Sequence, residues 1–314
     1  MEADRPRNLQ ILPQFGEGLS YLYIEHARVD RRDQAVAAWS ADGIVPIPCA
    51  ALAALLLGPG TSITHLAVRT LADHGCSILW TGEDAVRFYA GGTGETRQSR
   101  YLERQARLFS DPRSHLRTAR RLYAMRFTGE DTSRLSLAQL RGREGARVRR
   151  AYRQASDATG VAWSGRSYRQ DEWAASDPVN RALSAANACL YGICHAAIVS
   201  IGCSPGLGFI HVGKQLSFVY DIADLYKAEL SIPIAFTAAA QGALDVSRSA
   251  RHAAREAFRE ANLLERVVTD LRSLLDADCG DDDCDTRAAS PGGLWDPGSG
   301  PVSGGQNYAE EGTQ

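Results

Sequence analysis

Lysine is almost missing: the chain holds 33 Arg but only two Lys, Lys214 and Lys227. Long apolar runs are missing too. The longest, residues 50–57, is far too short to cross a bilayer, and the opening MEADRPRNLQILPQF has no apolar stretch of signal-peptide length. These absences lead us to expect a cytoplasmic protein with no membrane partner. The seven cysteines, at 49, 76, 189, 194, 203, 279 and 284, include no Cys-x-x-Cys pair. That excludes a zinc knuckle or dithiol redox motif of the usual spacing and leaves buried, reduced thiols as the reading. A Gly-Lys-Ser/Thr phosphate loop, a dinucleotide Gly-x-Gly-x-x-Gly after a strand and a Gly-x-Ser-x-Gly elbow are all lacking.

A hydrophobic content of 44% suffices to build real cores, and 314 residues suit two modest domains. The net charge is only −2, yet it is unevenly spread. Residues 97–169 carry 18 Arg against 6 acidic residues. An asymmetry of that size suggests a polyanion-binding face on an otherwise acidic body, with arginines that merely solvate helix surfaces as the alternative.

The fold expected is α+β: a small N-terminal β-rich domain, a larger all-α catalytic domain, and a disordered acidic tail, at residues 1–92, 93–277 and 278–314. Short aromatic and β-branched runs at 21–26, 35–40, 44–47, 77–80 and 86–89 read as strands. Pro46 and Pro48 push their strand to a sheet edge, because proline cannot donate to a ladder. One helix interrupts, capped by Thr61 or Ser62, with Ile63, Leu66, Ala67 and Leu71 on one face and Gly75 at its end. Residues 91–94, Gly-Gly-Thr-Gly, form a joint. Beyond it, Asp111-Pro112 and Asp177-Pro178 each place a capping carboxylate before a proline at the first helical position. Val179, Leu183, Ala186, Leu190, Ile193 and Ala197 mark one long helix with a buried face. Further helices fit 216–229, 232–241 and 247–275. Residues 276–314 hold nine acidic residues and one basic residue, which is too little apolar surface to offset ordering entropy.

Two segments could carry chemistry. GFIHVGKQLSFVYDIADLYK, residues 208–227, reads as a glycine-flanked loop bearing His211 and Lys214, followed by a helix bearing Asp221 and Asp224. Residues three apart share a helix face, so both carboxylates can point toward His211. Oxygen ligands beside an imidazole suit Mg²⁺ or Mn²⁺, whereas an exposed Asp pair with a core histidine would explain the same letters. Both lysines of the chain fall inside this segment, where a compact ammonium is not replaced by a planar guanidinium. The second segment, QLRGREGARVRRAY, sets Glu144 between Gly142 and Gly145. Each interior glycine costs about 1 kcal/mol relative to alanine, a cost that makes sense where another backbone must come close. A helix-face ion pair is the plain reading of Glu144; combined with the first segment, Glu144, His211 and Asp224 supply a carboxylate–imidazole–carboxylate set.

LRGREGARVR and GFIHVGKQLSFVYDIADLYK are similar to the two signature regions of the CRISPR spacer-acquisition integrase, the core CRISPR-associated endonuclease of adaptation. LGPGTSITHLAVRTLADHGCSILWTGEDAVRFYA resembles the end of its β-domain. GVAWSGRSY and the helix at 179–190 match the type I-E branch in position and order, so the resemblance spans roughly residues 15–275. It implies metal ligands at Glu144, His211 and Asp224, further catalytic groups at Asp221 and Lys214, and Mg²⁺ or Mn²⁺ as cofactor. It also implies a homodimer that joins a small ferredoxin-like CRISPR-associated protein in a heterohexamer, captures a prespacer duplex and inserts it into the CRISPR repeat. DNA contacts are expected at Arg143, Arg147, Tyr168, Tyr191, Tyr220, Lys227, Arg248, Arg251, Arg255 and Arg259. His26 stands where type I-E relatives carry a duplex-stacking tyrosine, with Tyr21 and Tyr23 as alternatives; strand parity puts Tyr23 on the opposite face. A nuclease that only hydrolyses DNA and a catalytically silent DNA-binding scaffold are the competing functions.

The basic segment makes one direct prediction. Binding to duplex DNA should fall steeply with salt despite the acidic balance elsewhere, at about −0.9 log units per log unit of salt for each phosphate neutralised. Several contacts give a slope of at least about −4. A fluorescence titration from low to moderate salt measures it, and a slope near zero contradicts the polyanion-binding face.

Overall fold

A computed structural model of the chain describes residues 20–32, 35–41, 43–49, 52–83, 87–92, 99–127, 129–132, 134–166, 177–242, 244–277, 294–296 and 300–302. The N-terminal part runs β1 (Ser20–Ile24), β2 (Arg28–Arg32), β3 (Ala35–Ser40), β4 (Gly43–Ile47), β5 (Leu52–Leu57), β6 (Ser62–Ile63), α1 (His65–Asp73), β7 (Ser77–Thr81) and β8 (Phe88–Gly92). Two four-stranded sheets result. One has the order β1-β5-β7-β8, parallel except for β8; the other is a β4-β3-β2 meander with β6 added parallel to β2.

Within the apolar run, Leu52–Leu57 form β5, a strand not foreseen from alternation because both of its faces are buried. Leu55 and Leu57 face a core of Val29, Val36, Ile47, Leu71 and Ile78 between the sheets and α1. Ala54 and Leu56, one residue out of phase, join Leu79 and Ala196 of the helical part in a second core. The expected edge position of the proline strand is observed: β4 ends its sheet, with Pro46 opposite Ala37.

Three local readings are corrected. Helix α1 is capped by Thr64, which accepts from Ala67 N–H, because Ser62 and Ile63 are taken by β6; Leu66 is 43% exposed rather than inward. Gly91 and Gly92 finish β8 instead of opening a joint, and residues 93–98 lie outside the described residues. The first strand stops at Ile24. His26 follows it in a left-handed conformation (φ 50°), so strand parity does not relate it to Tyr23.

The second part is helical: α2 (Arg100–Ser110), α3 (Pro112–Arg126), α4 (Leu137–Thr159), α5 (Pro178–Ser200), α6 (Ser217–Ala223), α7 (Ser231–Ala240), α8 (Val246–Glu260) and α9 (Leu263–Asp276). Asp111 and Asp177 cap as expected, accepting from Ser114 N–H and Asn180 N–H with proline at the first turn. The helix expected over 216–229 is only α6 followed by turns, and the one over 247–275 breaks at Asn262, which is left-handed (φ 48°). Helix α5 is long and apolar enough to cross a membrane by composition, but here it is the core helix, mostly buried inside the protein. Asp276 at the end of α9 is held by Tyr101 and Arg104 of α2, which ties the last helix to the first. Beyond Ala277 the described residues are two antiparallel strands, β9 (Leu294–Asp296) and β10 (Gly300–Val302); the rest of the segment read as a tail lies outside the described residues. Cys49, Cys76, Cys189, Cys194 and Cys203 are buried thiols outside any disulfide, as read, and Cys279 and Cys284 lie outside the described residues.

The seam between the two parts includes His195 of α5, whose ring lies 4.0 Å from that of Phe88. Burial lowers the His195 pKa below the ordinary imidazole value of 6.5. The unfolded chain therefore binds this proton more readily, and the contribution of His195 to stability is lost as pH falls below about 6.5. Melting temperatures at pH 7.5 and 5.5 should converge more closely for His195→Gln than for wild type. An equal acid-side drop in both contradicts this.

Candidate functional site

The loop between α5 and α6 is shaped by one buried carboxylate. Asp221, fully buried on α6, accepts from the backbone N–H groups of Phe209 (2.6 Å), Ile210 (3.0 Å) and His211 (2.8 Å), and its Oδ1 lies 2.8 Å from His211 Nδ1. A carboxylate only accepts, so Nδ1 carries a proton, and in the neutral imidazole the lone pair is on Nε2. Gly208 is required where the loop turns: a Cβ there would sit 2.3 Å from the His211 carbonyl oxygen. Helix α2 clamps the other end of the loop. Gln105, buried, donates to the Ser204 and Leu207 carbonyls and accepts from Ser204 N–H.

Two further carboxylates converge from distant parts of the chain. Glu144 lies two turns into α4, whose start is fixed by a capping box between Ser136 and Gln139. Asp224 caps the C-terminus of α6. Between them sits Arg126, the last residue of α3, with its side chain 2% exposed. Its Nη1 is 3.5 Å from Glu144 Oε1 and 3.6 Å from Asp224 Oδ2, and its Nη2 donates to the Asp221 carbonyl at 3.2 Å. Arg147 reaches Glu144 Oε2 at 3.2 Å, and Lys227 Nζ lies 2.6 Å from Asp224 Oδ1. Burial opposes the charge on Lys227, but Asp224 and Tyr191 together outweigh it and raise the ammonium pKa above its usual value. The ammonium also stands 4.9 Å from the Tyr191 ring centre; Tyr191 meets Tyr220 edge-on, and Tyr220 meets His211 in the same way.

The donors Glu144, Asp224 and His211 Nε2 suit a hard divalent cation in kind, with Asp221 as the carboxylate that orients the imidazole. Among the described residues, no group of three or more His, Cys, Asp or Glu side chains stands close enough to hold a metal as arranged. Glu144 and Asp224 instead share a guanidinium.

A family model for the CRISPR-associated protein Cas1 matches residues 128–260. The CRISPR-associated endonuclease Cas1 2 of Thermus thermophilus is 52% identical over 96% of this chain and 94% of its own length. The CRISPR-associated endonuclease Cas1 of a Clostridium species is 43% identical over 96% of this chain and 99% of its own. The chain belongs to the Cas1 family. Among solved structures, the crystal structure of a TtCas1–DNA complex superposes with a TM-score of 0.79 at 54% identity, covering 84% of this chain and 99% of that one.

For this Cas1-family chain the structure sorts the residues singled out from sequence. Glu144, Asp221, Asp224, His211, Arg147, Lys227, Tyr191 and Tyr220 are gathered around the α3–α4–α6 junction. Only Asp221 pairs with His211; the expectation that both carboxylates reach it fails because α6 ends at Ala223 and Asp224 turns to Arg126 and Lys227. Lys214 stands exposed on the loop. Arg143 pairs instead with Glu130 at 2.8 Å on the surface. Arg248, Arg251, Arg255 and Arg259 follow one face of α8, where Arg255 pairs with Glu83 of the β-domain. His26 is exposed at the β1–β2 corner, donating its N–H to the Pro59 carbonyl, while Tyr23 is partly buried with its hydroxyl on Glu25. Tyr168 lies outside the described residues. The reason inferred for the glycines beside Glu144 is not met within this chain. A Cβ at Gly142 would meet nothing within 4 Å, and one at Gly145 only the end of Arg149. Arg126 was missed, because nothing in sequence separates it from 17 other arginines in residues 97–169.

Removing the Asp221 carboxylate strands three buried N–H groups, so Asp221→Ala should cost about 2–4 kcal/mol of stability. Glu144→Ala, which strands no backbone N–H group and leaves Arg126 beside Asp224 and Arg147 partly exposed, should cost about 1 kcal/mol or less. Urea denaturation compares them; equal effects contradict the structural role of Asp221.

Proposed function

We propose that this Cas1-family chain is a metal-dependent DNA endonuclease and integrase of CRISPR adaptation, joining prespacer 3′ ends to the CRISPR repeat. The observation that carries it is the convergence of Glu144 and Asp224, from α4 and α6, beside a histidine whose tautomer is fixed by Asp221. A 52% identical relative that is a CRISPR-associated endonuclease supports the nuclease, and the likeness to a Cas1–DNA complex supports the DNA partner. We extend the reading to the type I-E branch, to a homodimer bound to a small ferredoxin-like CRISPR-associated protein as a heterohexamer, and to the cytoplasm.

In the reaction proposed, a 3′-hydroxyl oxygen forms a bond to phosphorus in the repeat while a phosphodiester P–O bond to the repeat's own 3′ oxygen breaks. One diester is made and one lost, so the step needs no external energy. Glu144, Asp224 and His211 would hold Mg²⁺ or Mn²⁺, which supplies charge neutralisation at phosphorus and acidifies the attacking hydroxyl. Asp221 keeps the His211 proton on Nδ1, so that Nε2 remains a donor of its lone pair. Lys227 and Arg147 place positive charge beside the carboxylates, and Lys214 on the exposed loop is suited to a phosphate as a point charge. The arginines of α8 extend phosphate binding beyond the site, and in-line positioning is what such contacts contribute to rate.

Hydrolysis alone, with water as nucleophile, uses the same residues. The deciding experiment gives a labelled 3′-OH duplex and repeat DNA to wild type, Glu144→Ala, His211→Ala and Asp224→Ala in Mn²⁺, with DNA affinity measured alongside. Wild type should produce a larger labelled product, and each variant should lose it by about 100-fold or more while binding DNA within about threefold. Shortened fragments without joined product favour the hydrolytic reading. Joining at wild-type rates by Glu144→Ala or Asp224→Ala overturns the site.

A further inference from the structure

The two converging carboxylates already have cations beside them before any divalent cation is added. Glu144 and Asp224 face Arg126, Arg147 and Lys227, and Arg126 also donates to the Asp221 backbone carbonyl. Arg126 is the odd member. A guanidinium with good geometry closes on a carboxylate as a two-pronged pair, and the chain contains such a pair on its surface, Arg266 on Glu229, at 2.7 Å for both prongs. Arg126 does not close on either anion. It stands almost equally far from Glu144 (3.5 Å) and Asp224 (3.6 Å), beyond good hydrogen-bond length, while its Nε is buried without a hydrogen-bond partner. Its position is set by its own helix and by Tyr123, whose ring centre lies 5.1 Å from the guanidinium carbon. It neutralises the two carboxylates without filling their lone pairs.

We infer that Arg126 is the resident counter-cation of the site. It is a positioning residue that holds Glu144 and Asp224 together when no divalent ion is bound and keeps the ion's affinity low until DNA arrives. The inference rests on the reading of Glu144 and Asp224 as cation ligands. Its logic is electrostatic. A divalent ion entering a site whose carboxylates already have cations beside them adds two positive charges within a few ångströms of a fixed guanidinium in a partly dehydrated space. A phosphodiester brings negative charge to the same place. Ion and DNA must then favour each other's binding, and by linkage the coupling runs equally in both directions.

The test measures Mn²⁺ binding to the full chain by electron paramagnetic resonance, with and without a duplex whose 3′ ends are dideoxy-terminated. Without DNA, Arg126→Gln should bind Mn²⁺ at least about tenfold more tightly than wild type, and Arg126→Lys, which keeps the charge, should stay near wild type. The duplex should tighten Mn²⁺ binding clearly in wild type and less in Arg126→Gln. Because a buried substitution can cost the fold, Arg147→Gln, at a partly exposed residue on the same carboxylate, should shift affinity in the same direction and decides the matter if Arg126→Gln does not fold. Glu144→Gln and Asp224→Asn separate the two ideas. If they bind Mn²⁺ like wild type, the ligand assignment has failed. If they lose it while Arg126→Gln or Arg147→Gln binds no more tightly than wild type, or while the duplex leaves wild-type affinity unchanged, the counter-cation role is overturned and the ligand assignment stands.

Discussion

Helix α5 contains 23 residues and one formally charged side chain, Arg181. A helix of that composition cannot present any face broadly to water without losing burial worth roughly 25 cal/mol for each Å² of apolar surface. Its neighbours follow from that constraint. Ala186, Leu190, Ile193, Ala197 and Ile198 receive α6, α9 and the loop residue Phe209 in one core, and Val179, Ala182, Leu183 and Ala185 receive α7 and the start of α8 in another. Ala196 takes the far face of β5 and β7. The seam between the two parts, and the seating of α6 with its Asp221, both descend from the need to cover this one helix.

Asp221 then transmits that order to the chemistry. With α6 fixed by Phe218, Val219 and Ile222 in the core, its carboxylate stands at a set depth, and the loop from Phe209 to His211 has to wrap around it to satisfy three N–H groups. Buried polar groups that lack partners are expensive, so the loop has little freedom to drift. The imidazole inherits its orientation from packing two layers below it. Placing the polar group that orients the imidazole on buried α6, and the imidazole itself on the exposed loop, lets the site be both rigid and open.

What could be read from sequence followed local rules. Asp-Pro pairs gave both helix starts because capping and the N-terminal proline act within four residues, and Pro46 gave the edge strand because a missing donor is decided by one residue. Long-range burial was not legible. Residues 52–57 carry no alternation since both faces are covered, by the other sheet and by α5, and neither cover is encoded nearby. The early end of α6 and the break at Asn262 are set by tertiary fit. Glu144, His211 and Asp224 could be singled out because they stand in two distinctive segments. Arg126 was not, since an arginine's role in an arginine-rich stretch depends wholly on what lies across from it.

The distribution of lysine acquires a physical reason from the same geometry. In a chain with 33 arginines, the cation bonded to Asp224 is Lys227. An arginine here would offer two parallel N–H groups and could close over both carboxylate oxygens, as Arg266 does on Glu229. A carboxylate closed in that way has one lone pair on each oxygen taken, which leaves less room for another ligand. The ammonium contacts Oδ1 alone, and Arg126, held at 3.6 Å, does not close on Oδ2. The Tyr191 ring beside Lys227 favours a cation electrostatically without competing for the carboxylate. Asp224 is thus oriented by Lys227 without being closed over.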